Sequence, residues 1–134
     1  MLMIKNFIEL HIHLIESNSI KELYQELVKE DYTNNAATEL THVLNTVGIN
    51  TDDVRKELAY DLMNEYIADV FSGSHINDLH EFLCDTNNLY GYTVGEFVDL
   101  FVANQHNLGV TLVPLPKRSR IYLAVQNYKI VSNY

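Results

Sequence analysis

Glu9, His11 and His13 alternate along an apolar stretch, and in an extended strand all three project from one face. Two imidazoles and a carboxylate form a sensible donor set for a divalent metal, so a metal-dependent enzyme built on them is one reading of the chain. In a helix His11 and His13 stand about 200° apart around the axis and share no ion. His80 and Cys84 lie four residues apart, the spacing at which a helix brings a thiol and an imidazole together as a nucleophile pair. No third residue completes that pair. The sequence also holds no phosphate-binding glycine loop, no Gly-x-Ser-x-Gly elbow and no Cys-x-x-Cys. Carboxylate pairs are so frequent that none stands out for acid–base work. The expectation is a protein that is not an enzyme, with no catalytic residue, no metal and no cofactor.

A different chemistry is suggested by Asp53, Glu57, Asp61, Glu65 and Asp69, which recur at strict four-residue spacing. On a helix they form one row, with neighbours about 6 Å apart along the axis. That is comparable to the spacing of phosphates along a nucleic-acid strand. Like charges at this spacing repel by about 0.2–0.5 kcal/mol per pair. No basic residue interrupts the row; Arg55 and Lys56 fall on other rows. Such a row either imitates a polyanion and fills the basic groove of a partner, or is an ordinary solvated face.

Charge is divided unevenly along the chain. Residues 1–99 carry all eighteen acidic side chains against five basic ones, a formal −13, whereas residues 100–134 carry Lys117, Arg118, Arg120, Lys129 and no acid, a formal +4. Lys117, Arg118 and Arg120 form a basic loop tip suited to phosphates or to an acidic partner. A winged-helix-like DNA-binding regulator, with this loop as its wing, is therefore a second reading. Against it, the helix that would enter the groove carries Glu96 and Asp99 and no basic residue near its start. The net charge of −9 argues equally against direct nucleic-acid or anionic-membrane binding by the body of the protein.

The elements that position these residues are read from periodicity. Residues 2–16 fit both a helix and an alternating strand; helix is favoured because its stripe runs unbroken from Met3. Ser19-Ile20-Lys21-Glu22 reads as a capping box opening a second helix. A third runs from about Asn35 to Val47, ended by Gly48, and a fourth from about Asp52 to Phe71, capped by Asn50 or Thr51 and followed by Gly73. Ser74 is placed to cap a short fifth helix reaching Cys84, and Thr93-Val94-Gly95-Glu96 to open a sixth. Val110–Val113 and Ile121–Val125 predict a β-hairpin, with a further short strand at Tyr128–Val131. The expected fold is thus mainly α, about six helices, with a small C-terminal antiparallel hairpin, or α+β if residues 7–15 are a strand.

At 134 residues, a single domain is expected, with a helical body over about 1–106 and the basic hairpin over about 109–131. Cys84 is the only cysteine, in keeping with a reducing cytoplasm. The apolar start is too short and too often interrupted by charge to cross a membrane. The nine tyrosines, Tyr90 and Tyr92 among them, suit a contact surface or the rim of a core, and with a free sheet edge they would allow a homodimer.

The function these features favour is a small acidic binding protein that blocks a basic nucleic-acid-handling protein, a nuclease above all. Its contact residues would be Asp53, Glu57, Asp61, Glu65 and Asp69, with Lys117, Arg118 and Arg120 on a second surface. By analogy of size and charge, this is the surface of phage or mobile-element inhibitors of host nuclease defence, of the anti-CRISPR and antirestriction kind. Immunity proteins against nuclease toxins share it.

Overall fold

Helical period prevails over alternation in the first segment. α1 (Ile4–Leu10) and α2 (Ile12–Glu16) bury Phe7 and Leu14, two turns apart, while Leu10 and Ile12, which a strand would have turned inward with Leu14, are exposed. The single helix expected there is broken at His11, whose backbone leaves helical values (φ −111°, ψ 25°). This computed structural model describes residues 4–116 and 125–133.

Among the described residues there follow α3 (Ile20–Lys29), α4 (Asn34–Thr46), α5 (Asp52–Phe71), α6 (Leu79–Asp85) and α7 (Val94–Asn104), then β1 (Val110–Leu115) and β2 (Asn127–Ser132). The fold is mainly α with a small antiparallel C-terminal hairpin, as the sequence predicts. β1 pairs with β2 in a register that sets Val110 against Ser132 and Leu112 against Ile130. The partner of β1 is therefore the segment expected to be only a third strand. Val125 stands in a bend, and the rest of the expected Ile121–Val125 strand lies outside the described residues, as do Lys117, Arg118 and Arg120.

The chain forms two compact units. One comprises Met1–Ala59 with Asn87–Tyr92, the other Tyr60–Thr86 with Thr93–Tyr134. In the first, α1 packs on α4 and α2 on α3. Its core gathers Phe7, Leu14, Leu23, Tyr24, Leu27, Leu40, Leu44 and Leu58. Gly48 closes α4 in the left-handed conformation (φ 86°), and the Ile49 N–H returns to the Leu44 carbonyl, the cap expected there. The capping box expected at Ser19 does not form: its hydroxyl bonds the Ser17 hydroxyl at 2.9 Å and leaves the α3 amides uncapped by side chains.

The returning segment 87–92 is held to the first unit by side-chain amides. Asn34 Nδ2 donates to the Tyr92 carbonyl at 2.8 Å, while its Oδ1 accepts from Leu89 N and Gly91 N, both at 2.9 Å. Asn88 Nδ2 donates to the carbonyls of Tyr32 and Thr33, and its Oδ1 accepts from Tyr90 N. Gly91 is required by both conformation and space. Its φ is +86°, and a Cβ there would stand 3.2 Å from Arg55 Nη2 and 3.4 Å from the Ala37 carbonyl carbon.

In the second unit Phe97, Val98 and Phe101 of α7 are buried, as are Leu79, Phe82 and Leu83 of α6 and Val110, Leu112 and Ile130 of the hairpin. The full capping box at Thr93 and Glu96 opens α7. α6 is capped by Asp78, which accepts from Glu81 N, and not by Ser74, whose hydroxyl turns back to the Asp69 carbonyl and the Ser72 hydroxyl. Buried Asn127 takes the next orphan amide, His80 N, at 3.0 Å and donates to Asp78 Oδ1 at 2.8 Å. Asn77 pairs with both backbone groups of Ile130, each at 2.7 Å, as a neighbouring strand would.

Replacing Asn34 by Ala strands three backbone groups at once. The expected loss of stability is about 2–4 kcal/mol, against a change within about 0.5 kcal/mol for the exposed neighbour Asn35→Ala. Chemical denaturation of the two variants checks this, and equal effects would remove the special role of Asn34.

Candidate functional site: an acidic helix row and its surroundings

α5 positions the carboxylate row. Leu58, Ala59, Met63 and Tyr66 are buried, and Val54, Leu62, Ile67 and Val70 half-buried, so two adjacent rows of the helix face largely inward, although Phe71 at the end of one of them is exposed. The row beside them carries the acids. In the first unit Asp53 and Glu57 are exposed; in the second Asp61 and Glu65 are exposed and Asp69 is half-buried. Lys21 of α3 reaches Glu57 at 2.7 Å, its own side chain half-buried and that of Glu57 exposed, so this partly solvated pair contributes at most about 1 kcal/mol. Among the described residues no ion pair meets Asp53, Glu65 or Asp69.

Arg55 interrupts the apolar rows and turns inward. Its Nε donates to the Tyr90 carbonyl at 2.7 Å, and its guanidinium lies 4.2 Å from the centre of the Tyr92 ring. Tyr92 is buried and Tyr90 half-buried. This pair therefore serves the interior of the first unit, the rim-of-core alternative and not the contact surface. A shallow groove of about 470 Å³ in the same unit is lined by Ser19, Ile20, Lys21, Glu22, Gln25 and Val54.

The helical path does not gather Glu9, His11 and His13 as a strand would. Glu9 and His13 are exposed, and His11 turns to Glu30, its Nε2 lying 2.6 Å from Glu30 Oε2. The donor set expected from the alternation is thereby replaced by another, His11 with Glu26 and Glu30. Glu26 and Glu30 were not singled out from the sequence; their four-residue spacing on α3 was the available signal. His80 is buried while Cys84, one turn on, is exposed. α7 exposes Glu96 and Asp99.

The second unit also holds an aromatic nest. The Tyr66 ring lies 4.6 Å from Phe82, 5.9 Å from His75 and 6.2 Å from Phe101. Tyr66 Oη and His75 Nε2 are buried without a hydrogen-bond partner among the described residues. Burial pushes the Tyr66 phenol well above its ordinary range, with Asp78 and Glu81 adding to the effect; burial also raises Tyr24.

No protein family matches this sequence, and no curated protein or solved structure matches it either. Among the described residues no helix is long and apolar enough to cross a membrane.

The fold prefers the neutral Tyr66 phenol. Its contribution is therefore undiminished below about pH 10 and falls as pH rises past the point where the unfolded phenol ionises. Tyr66→Phe removes both the stranded hydroxyl and this ionisation. It should stabilise by about 1 kcal/mol at pH 8 and by more near pH 11. Urea midpoints at the two pH values check it; a destabilised variant with an unchanged alkaline slope would contradict the account.

Proposed function

We propose that this chain is a small acidic binding protein that docks the carboxylate row of α5 onto a basic nucleic-acid-handling protein, a nuclease above all, and blocks it. The observation that carries the reading is the solvent exposure of Asp53, Glu57, Asp61 and Glu65 along one row of a single helix. Asp53 and Glu65 meet no cation among the described residues, so their full charge is available to a partner. A row of like charges that lowers helix stability is unfavourable unless a cationic surface offsets it. The surface would act in a reducing compartment such as the cytoplasm, and it would replace nucleic acid in the partner's groove and not bind nucleic acid itself. The likeness to antirestriction, anti-CRISPR and toxin-immunity proteins is one of size and charge.

Electrostatic docking makes association fast and salt-sensitive. The tagged chain, incubated with lysate of its native host at about 50 mM salt, should retain a basic nucleic-acid-binding protein and release it at about 500 mM. The double variant Asp61→Lys, Glu65→Lys should bind that protein at least about tenfold more weakly and lose stoichiometric inhibition of its nuclease activity. Undiminished binding by the folded variant would refute the proposed interface. Retardation of DNA by the native chain alone would move the function to the hairpin.

A further inference from the structure

α3 ends in the wrong charge. The C-terminal end of a helix carries partial negative charge and favours cations, yet the last turn and cap of α3 hold Glu26 and Glu30. Their i,i+4 spacing sets both carboxylates on one face, where they repel. Lys29 does little to relieve this: its Nζ is 4.0 Å from Glu26 Oε1 and its side chain is largely solvated.

The side chain facing them is His11. The interruption between α1 and α2 takes its backbone out of the helix, and its ring rests 4.6 Å from the ring of Phe7. Nε2 is thereby aimed at Glu30. One ligand atom from each of His11, Glu26 and Glu30 lies within 4.8 Å of the others, and all three residues are half-buried. A tetrahedral ion with bonds of about 2.0–2.2 Å sets its ligands about 3.3–3.6 Å apart, so rotations that open the 2.6 Å contact of His11 with Glu30 and draw Glu26 in bring all three to a common centre.

We propose that His11, Glu26 and Glu30 bind one divalent transition-metal cation, with water in the remaining positions. The chemistry selects the class. An imidazole beside two carboxylates suits Zn²⁺, Mn²⁺ or Fe²⁺, whereas Ca²⁺ and Mg²⁺ take oxygen ligands. The cation offsets the two carboxylates at the negative end of α3 and ties the α1–α2 joint to that end. The site belongs to the first unit alone and is independent of the α5 surface.

The test uses the metal-stripped full chain and Zn²⁺ alone, followed by calorimetric titration and thermal unfolding. One Zn²⁺ per chain and a raised Tm are expected, with neither Ca²⁺ nor Mg²⁺ competing. His11→Gln, Glu26→Gln and Glu30→Gln should each weaken binding by at least about tenfold while circular dichroism shows an intact helix content. Glu9→Gln and His13→Gln should leave it unchanged. His13 is the demanding control, because its ring lies 6.2 Å from that of His11. Absence of Zn²⁺ binding overturns the proposal, as does affinity that survives Glu26→Gln and Glu30→Gln or falls equally with His13→Gln.

Discussion

The amide of Asn34 carries an unusual share of the first unit. Segment 87–92 has no ladder or helix of its own, so its backbone groups need side-chain partners wherever they leave water. Asn34 supplies three of them from one planar group, and Asn88 supplies the reciprocal bonds to Tyr32 and Thr33. Arg55 takes the Tyr90 carbonyl, which stands in a left-handed residue (φ 55°). Glycine at 91 then lets the backbone come close enough to α4 and Arg55 for all these bonds to be made. The second unit repeats the device with Asn77 and Asn127, which supply β2 and the start of α6 with the bonds that an extra strand and a longer cap would have given.

This use of asparagine has an electrostatic corollary. An amide satisfies buried backbone without adding charge, so the interior polar work is done largely by neutral groups and by Arg55. Among the described residues no acid is fully buried, and only Glu26, Glu30, Asp69 and Asp78 are half-buried. Along α5 the acids are arranged by the same geometry that buries Leu58, Met63 and Tyr66: with two of the four i+4 rows turned largely inward, the other two are left mostly to solvent, and this sequence fills one of them with carboxylates alone.

Much of this was visible in the sequence wherever the signal was local. Thr93 and Glu96 sit three apart and form their box; Gly48 ends α4; the i+4 rows of α5 divide into buried and exposed as their polarity dictates. Local signals failed where a closer competitor took the group. The Ser19 hydroxyl was diverted by Ser17, and Ser74 lost its capping role to Asp78, which stands directly before α6. β2 is tied to the segment before α6 by Asn77 and Asn127, whose partners lie about fifty positions away. Contacts at such separation leave no periodic trace. The same is true of His11 meeting Glu26 and Glu30. Alternation with Glu9 and His13 was the conspicuous pattern, but a helix path separates those residues, and α3 brings its own acids to the ring.

The first unit is discontinuous in sequence, and this bears on how the chain is made. Asn34 lies 55 and 57 residues before the amides it accepts from. Closing a loop of that length costs several kcal/mol of chain entropy, about (3/2)RT ln n plus a constant, before any of the bonds is gained. On a ribosome, α1 to α4 emerge first and must persist with the Asn34 amide and the Arg55 guanidinium solvated until residue 92 has been added and the chain has doubled back. The bonds that complete the first unit therefore wait on six residues that arrive late.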